Sequence, residues 1–174
     1  MNVDLAYGRG RLAVDFPTDR TTVLEPTYVD GLRDEAAAIR EALRRPLDRR
    51  PLASLVQPAQ RVAISVCDIT RPMPSRTLLP VLLSELAQVP DDHITILIAT
   101  GTHRANTRAE LIEMLGEPIV DRYRIINHDA FDDATLVYLG EVEPHVPVWL
   151  NRHWVDADIR VTTGFVEPHF FAGF

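Results

Sequence analysis

Residues 61–72 read Arg61-Val62-Ala63-Ile64-Ser65-Val66-Cys67-Asp68-Ile69-Thr70-Arg71-Pro72. Residues 61–66 are a short apolar run of the kind that a strand buried on both faces shows, and the run stops abruptly in polar residues and proline. The pattern then repeats outward from this point. Residues 75–88 have the apolar spacing of a helix, 94–100 form a second apolar strand, 107–115 a second helix and 123–127 a third strand. Residues 136–139 and 146–150 read as peripheral strands, and 159–163, after Asp156-Ala157-Asp158, as the last apolar strand. Strands that alternate with helices predict an α/β fold with a mostly parallel, Rossmann-like sheet and flanking helices.

Towards the N-terminus, residues 3–7 and 11–16 flank Gly8-Arg9-Gly10, which predicts an N-terminal β-hairpin. Residues 32–43, with Ala36, Ala37 and Ala38 inside, predict a helix that Pro46 and Pro51 end. Arg44, Arg45, Arg49 and Arg50 at its exit read as a solvated helix end, favourable beside the negative end of the dipole.

Composition narrows the function classes. The 174 residues carry a net charge of −7, which argues against a general nucleic-acid binder. Cys67 is the only cysteine, so no intrachain disulfide is possible. Met1-Asn2-Val3-Asp4 lacks the regions of a signal peptide and no apolar run is long enough for a membrane helix, so the cytoplasm is the expected location. All 18 basic residues are arginine. Without lysine, Schiff-base chemistry and any lysine-tethered cofactor are excluded on these residues. No internal repeat, Gly-rich phosphate loop or close zinc-type ligand pair is visible.

In open parallel sheets, ligands bind beyond the carboxyl ends of the strands. Three loops therefore matter most. After the first strand comes Cys67-Asp68-Ile69-Thr70-Arg71-Pro72, in which Arg71 suits a carboxylate or phosphate, and Asp68 would orient Arg71 or accept from a ligand hydroxyl. A capped turn with a surface Asp–Arg pair is an equally good reading of this loop taken alone. After the second strand comes Thr100-Gly101-Thr102-His103-Arg104, where Gly101 permits close backbone approach and His103 suits a general acid or base. After the last strand come Glu167-Pro168-His169 and a Phe-rich stretch, either a water-poor wall around His169 or simply core. Two histidines and an Asp/Arg pair on three strand ends can converge on one ligand. Bases on opposite faces of a small molecule suit inversion of a stereocentre; the same set would also serve a hydrolase or a metal site, and spacing does not choose. His128 is a minor candidate, His93, His145 and His153 are weaker, and Cys67 reads as a buried, inert thiol.

The three motifs Asp68-Ile69-Thr70-Arg71-Pro72, Gly101-Thr102-His103-Arg104 and Glu167-Pro168-His169-Phe170-Phe171-Ala172-Gly173-Phe174, in this order and spacing, resemble the N-terminal domain of the nickel-dependent lactate racemase family. The resemblance covers the whole chain, so residues 1–174 are expected to be one N-terminal lactate-racemase-like domain, incomplete at its C-terminal end. It implies a racemase or epimerase of a small 2-hydroxy acid. The implied mechanism is hydride transfer to a nickel pincer nucleotide, derived from nicotinic acid and tethered through a lysine. His103 and His169 would be the acid/base pair. Asp68, Thr70, Arg71, Gly101 and Thr102 would line the substrate and cofactor pocket, with Arg71 on an anionic group. Cofactor-loading proteins and a C-terminal domain are the implied partners, with no nucleic acid and no membrane.

Two departures from the pattern stand out. The cofactor lysine and the nickel histidine have no counterpart here, so no metal ligand is expected on this chain. Ala105 stands where the family often has proline. By itself, the chain is therefore expected to be inactive, without a covalently attached cofactor. The competing reading is a non-catalytic α/β module that keeps the anion pocket.

Overall fold

The structure, a computed structural model, describes residues 1–164 and 166–169. Phe165 and residues 170–174, which hold most of the Phe-rich stretch of the third motif, lie outside the described residues. Two compact units are present, Met1–Leu32 and Arg33–Phe174.

The first unit is the predicted hairpin. Strands β1 (Asn2–Tyr7) and β2 (Gly10–Asp15) pair antiparallel, Asn2 opposite Asp15 and Tyr7 opposite Gly10. Gly8 turns the chain at φ +57°, a conformation that strains residues with a Cβ. The N-terminal ammonium donates to the Phe16 carbonyl at 2.7 Å and to the Thr18 hydroxyl at 2.8 Å.

The second unit opens with α1 (Glu35–Arg44) and a single turn, α2 (Leu52–Leu55). The α1 helix begins later than its apolar pattern suggests because the Asp34 carboxylate accepts the Ala37 N–H at 2.8 Å and caps it there. Then follow β3 (Val62–Cys67), α3 (Ser75–Ser84), β4 (Ile94–Ala99), α4 (Arg108–Leu115), α5 (Glu117–Arg122) and β5 (Arg124–Asn127). A ribbon of β6 (Leu136–Glu141) and β7 (Pro147–Asn151), a short α6 (Arg152–Val155) and β8 (Ile159–Thr162) complete the described elements.

Four strands form one parallel sheet in the order β5-β4-β3-β8. This is the predicted α/β arrangement of parallel strands, flanking helices and N-terminal hairpin. Because side chains alternate along a strand, Ile64, Val66, Ile96 and Ile98 share one face, and all four are fully buried. Leu79 and Leu82 of α3, with Leu86, Leu115 and Ile119, close over that face. The opposite face carries Ser65, Leu97, Ala99 and Thr162, which with His128, Trp149 and Trp154 line a cleft of about 290 Å³. The β6–β7 ribbon is a separate antiparallel sheet, with a register shift between Tyr138 and Gly140 and the Tyr138 and Trp149 rings 5.0 Å apart.

Arg44 corrects one expectation. Its guanidinium leaves the solvated helix end and pairs at 3.0 Å with Glu85, a buried carboxylate just beyond α3, tying α1 to α3. A buried charge without such a partner is costly, so the pairing follows from the burial of Glu85.

Candidate active site

The order β5-β4-β3-β8 places β4 on one side of β3 and β8 on the other. The loops after β3 and β8 therefore diverge at the carboxyl edge, and the crevice between them is where ligands of open α/β sheets bind. The first two sequence motifs and the described part of the third, residues 167–169, reach this edge.

The loop after β3 is built around Asp68, which is buried. Its Oδ1 accepts the Thr70 hydroxyl at 2.6 Å and the Thr70 N–H at 3.1 Å, an Asx turn that reverses the chain. The Arg71 N–H donates to the Asp68 carbonyl at 3.2 Å and closes the same turn. The other carboxylate oxygen, Oδ2, lies 2.6 Å from Nδ1 of His103. Burial pushes the Asp68 carboxyl up, but the hydrogen bonds from Thr70 and His103 outweigh it and hold the group below the usual carboxylate range. An ionised carboxylate only accepts, so His103 donates Nδ1–H to it, which leaves Nε2 as the ring nitrogen that can exchange a proton with a ligand.

The loop after β4 holds His103 in place from several sides. The Thr100 hydroxyl donates to the His128 carbonyl at 2.5 Å, and the His103 N–H donates to the Thr100 carbonyl at 2.9 Å. Gly101 takes φ +58° inside that turn. Nothing lies within 4 Å of where its Cβ would stand, so its positive φ, rather than a close backbone approach, is what calls for glycine. Asn127, at the end of β5, accepts the Asn106 N–H at 2.9 Å and donates to the Asn106 carbonyl at 3.1 Å. Arg104 forms two hydrogen bonds to Glu110, at 2.6 and 2.8 Å. Glu110 also completes a capping box with Thr107 at the start of α4. Thr102 is exposed in the turn and makes no hydrogen bond among the described residues.

After β8, Thr163 continues the pairing with β3: its N–H and its hydroxyl both donate to the Ser65 carbonyl, at 3.0 and 2.8 Å. Glu167 then meets Arg71, with Oε1 3.0 Å from Nε. His169 follows, exposed, in a single-residue β-bridge. Two side-chain ion pairs among the described residues thus link the motifs, Asp68 to His103 and Arg71 to Glu167. The expected partner of Arg71 was Asp68; the side chain found there is Glu167. Cys67, expected to be buried, is half-buried at the end of β3; burial and then Asp68 push its thiol up, which disfavours the reactive thiolate.

The N-terminus of α3, which lies at this edge, is partly satisfied from within. The Ser75 N–H donates to the Met73 carbonyl and the Thr77 N–H to that of Pro74. Fewer free donors remain there for an anion than a bare helix start would offer.

Comparison with known proteins fits this geometry. The profile of the lactate racemase N-terminal domain matches residues 7–174. The chain belongs to the lactate racemase N-terminal domain family. It is 33% identical over 177 aligned positions to the lactate racemase of Thermoanaerobacterium thermosaccharolyticum, covering 99% of this chain and 42% of that protein. It is 34% identical to the lactate racemase of Lactiplantibacillus plantarum, covering 94% of this chain and 42% of that protein. The structure of the T. thermosaccharolyticum lactate racemase apoprotein superposes with a TM-score of 0.80 at 32% identity, over 99% of this chain and 40% of that one. A Thermotoga maritima protein shares the fold, with a TM-score of 0.57 at 21% identity over 78% of this chain and 34% of that one.

The nickel pincer nucleotide implied by the resemblance needs a lysine tether and a metal-binding histidine. The sequence has no lysine, and among the described residues no three His, Cys, Asp or Glu side chains cluster as metal ligands. The residues of this family member do not fit as the anchor of that group. No described helix is long and apolar enough to cross a membrane.

Proposed function

We propose that the chain works as the N-terminal part of a racemase or epimerase of a small, lactate-like 2-hydroxy acid. The observation that carries this reading is the 2.6 Å contact between Asp68 and His103. A module that only binds anions has no use for an imidazole whose tautomer is fixed by a buried carboxylate, whereas an acid/base catalyst does.

The chemistry follows from the arrangement. Arg71 takes the substrate carboxylate through its planar fork. Nε2 of His103 is the base that takes the proton of the substrate hydroxyl. His169 is the second acid/base group of this reading, the acid that returns a proton to that oxygen. In the reverse direction the two histidines exchange roles. Asp68 keeps His103 in the required tautomer and stabilises its protonated form. Thr70, Gly101 and Thr102 shape the pocket around these groups.

A nickel pincer cofactor, when bound, would supply the hydride chemistry at the substrate carbon; no lysine of this sequence could tether it. The reading also expects a cytoplasmic enzyme served by cofactor-loading proteins. The absence of lysine favours a second reading for the chain acting alone, an anion-binding module.

Chiral chromatography of the full-length, cofactor-loaded protein incubated with single enantiomers of 2-hydroxy acids tests the proposal. Conversion of each enantiomer to the racemate is the expected result. Binding of the acids without conversion would support the module instead.

A further inference from the structure

The pair formed by Arg71 and Glu167 differs from the other arginine pairs at this end of the sheet. Arg104 is fixed on Glu110 by two hydrogen bonds, and Glu110 is itself tied to the N–H of Thr107. Arg71 meets Glu167 through one nitrogen and one oxygen at 3.0 Å, with side chains 39% and 35% exposed. Such an open ion pair is weak and readily exchanged. It also spans the loops after β3 and β8, the place in this topology where a ligand belongs. The Cys67 thiol at the end of β3 feels both charges, Arg71 with one sign and Glu167 with the other. A carboxylate of the chain thus stands where a carboxylate of a small acid would bind.

We propose that Glu167 is a resident carboxylate that occupies Arg71 until the carboxylate of the substrate replaces it. The inference rests on the reading of Arg71 as the substrate-carboxylate site. Glu167 sets a threshold on what can bind: an anionic acid competes for the guanidinium, and an uncharged analogue does not.

The test is titration of the full chain with L-lactate, and with lactamide as the uncharged control, followed by calorimetry in every variant and, wherever Arg71 is present, by NMR at its Nε–H. Wild type is compared with Glu167→Gln, Glu167→Ala and Arg71→Ala. Losing an exposed competing charge corresponds to about two- to fivefold tighter L-lactate binding in both Glu167 variants. Arg71→Ala should lose the binding, and lactamide should perturb none of the variants at this position. Equal or weaker binding in the Glu167 variants, with Arg71 still required, overturns the competition and leaves the carboxylate site standing. Binding that does not depend on Arg71, or no binding in any form, overturns both.

Discussion

Asp68 Oδ2 lies 2.6 Å from His103 Nδ1, joining the loop after β3 to the loop after β4. Thr70 directs two donors at the other oxygen of the same carboxylate, so each oxygen has a fixed duty.

That division of duties makes Asp68→Asn informative. The two donors of Thr70 require an oxygen, so the amide oxygen takes that position and the NH₂ faces Nδ1 of His103. The imidazole must then accept at Nδ1 and carry its proton on Nε2, where the reaction needs a lone pair. Turnover should fall by about 10² to 10⁴ with the fold intact. Nitrogen-15 NMR should show the His103 proton moving from Nδ1 to Nε2; an unchanged tautomer would remove Asp68 from its positioning role.

Glu110 gives a stability prediction with a defined pH window. Hydrogen bonds from Arg104 and then Thr107 lower its pKa from 4.5 to about 2. A lowered folded-state pKa means that the stabilisation is fully present above the unfolded value and is lost as pH falls through the folded one. Thermal unfolding of wild type and Glu110→Gln should therefore differ most near neutral pH. The difference should shrink from about pH 4.5 and vanish near pH 2.

The core prediction concerns Leu79, fully buried on α3 against the strands. Leu79→Ala should cost about 2 to 5 kcal/mol, because lost transfer energy adds to the cavity left behind. Urea denaturation measures it, and a loss below about 1 kcal/mol would mean that this face repacks.

Much of this was legible in the residues themselves. The central strands announce themselves as apolar runs because they are buried on both faces, and Gly8-Arg9-Gly10 marks its hairpin. The short helices α2, α5 and α6 escaped because helices of 4 to 6 residues show too little periodicity. Within the site, Asp68, Arg71 and His103 stood out by residue type at strand ends. Their partners did not: Asp68 and His103 are 35 positions apart, and nothing in the spacing signals that contact. Glu167 was visible only as part of a motif. Asn127, which fastens the His103 loop, carried no signal beyond being a polar residue at a strand end.

The claim at the centre of this account is that His103 and His169 act as a pair, each the base in one direction and the acid in the other. The most direct measurement is turnover per cofactor-loaded site in the full-length protein, from each enantiomer separately, for His103→Ala, His169→Ala and the double variant. Each single substitution should lower both directions by about 10² to 10⁴, with loading and unfolding temperature retained. The double variant should be little worse than the poorer single one, as for groups that act as a unit. Near-normal turnover per loaded site in either single variant would contradict the pairing and return that histidine to a structural role.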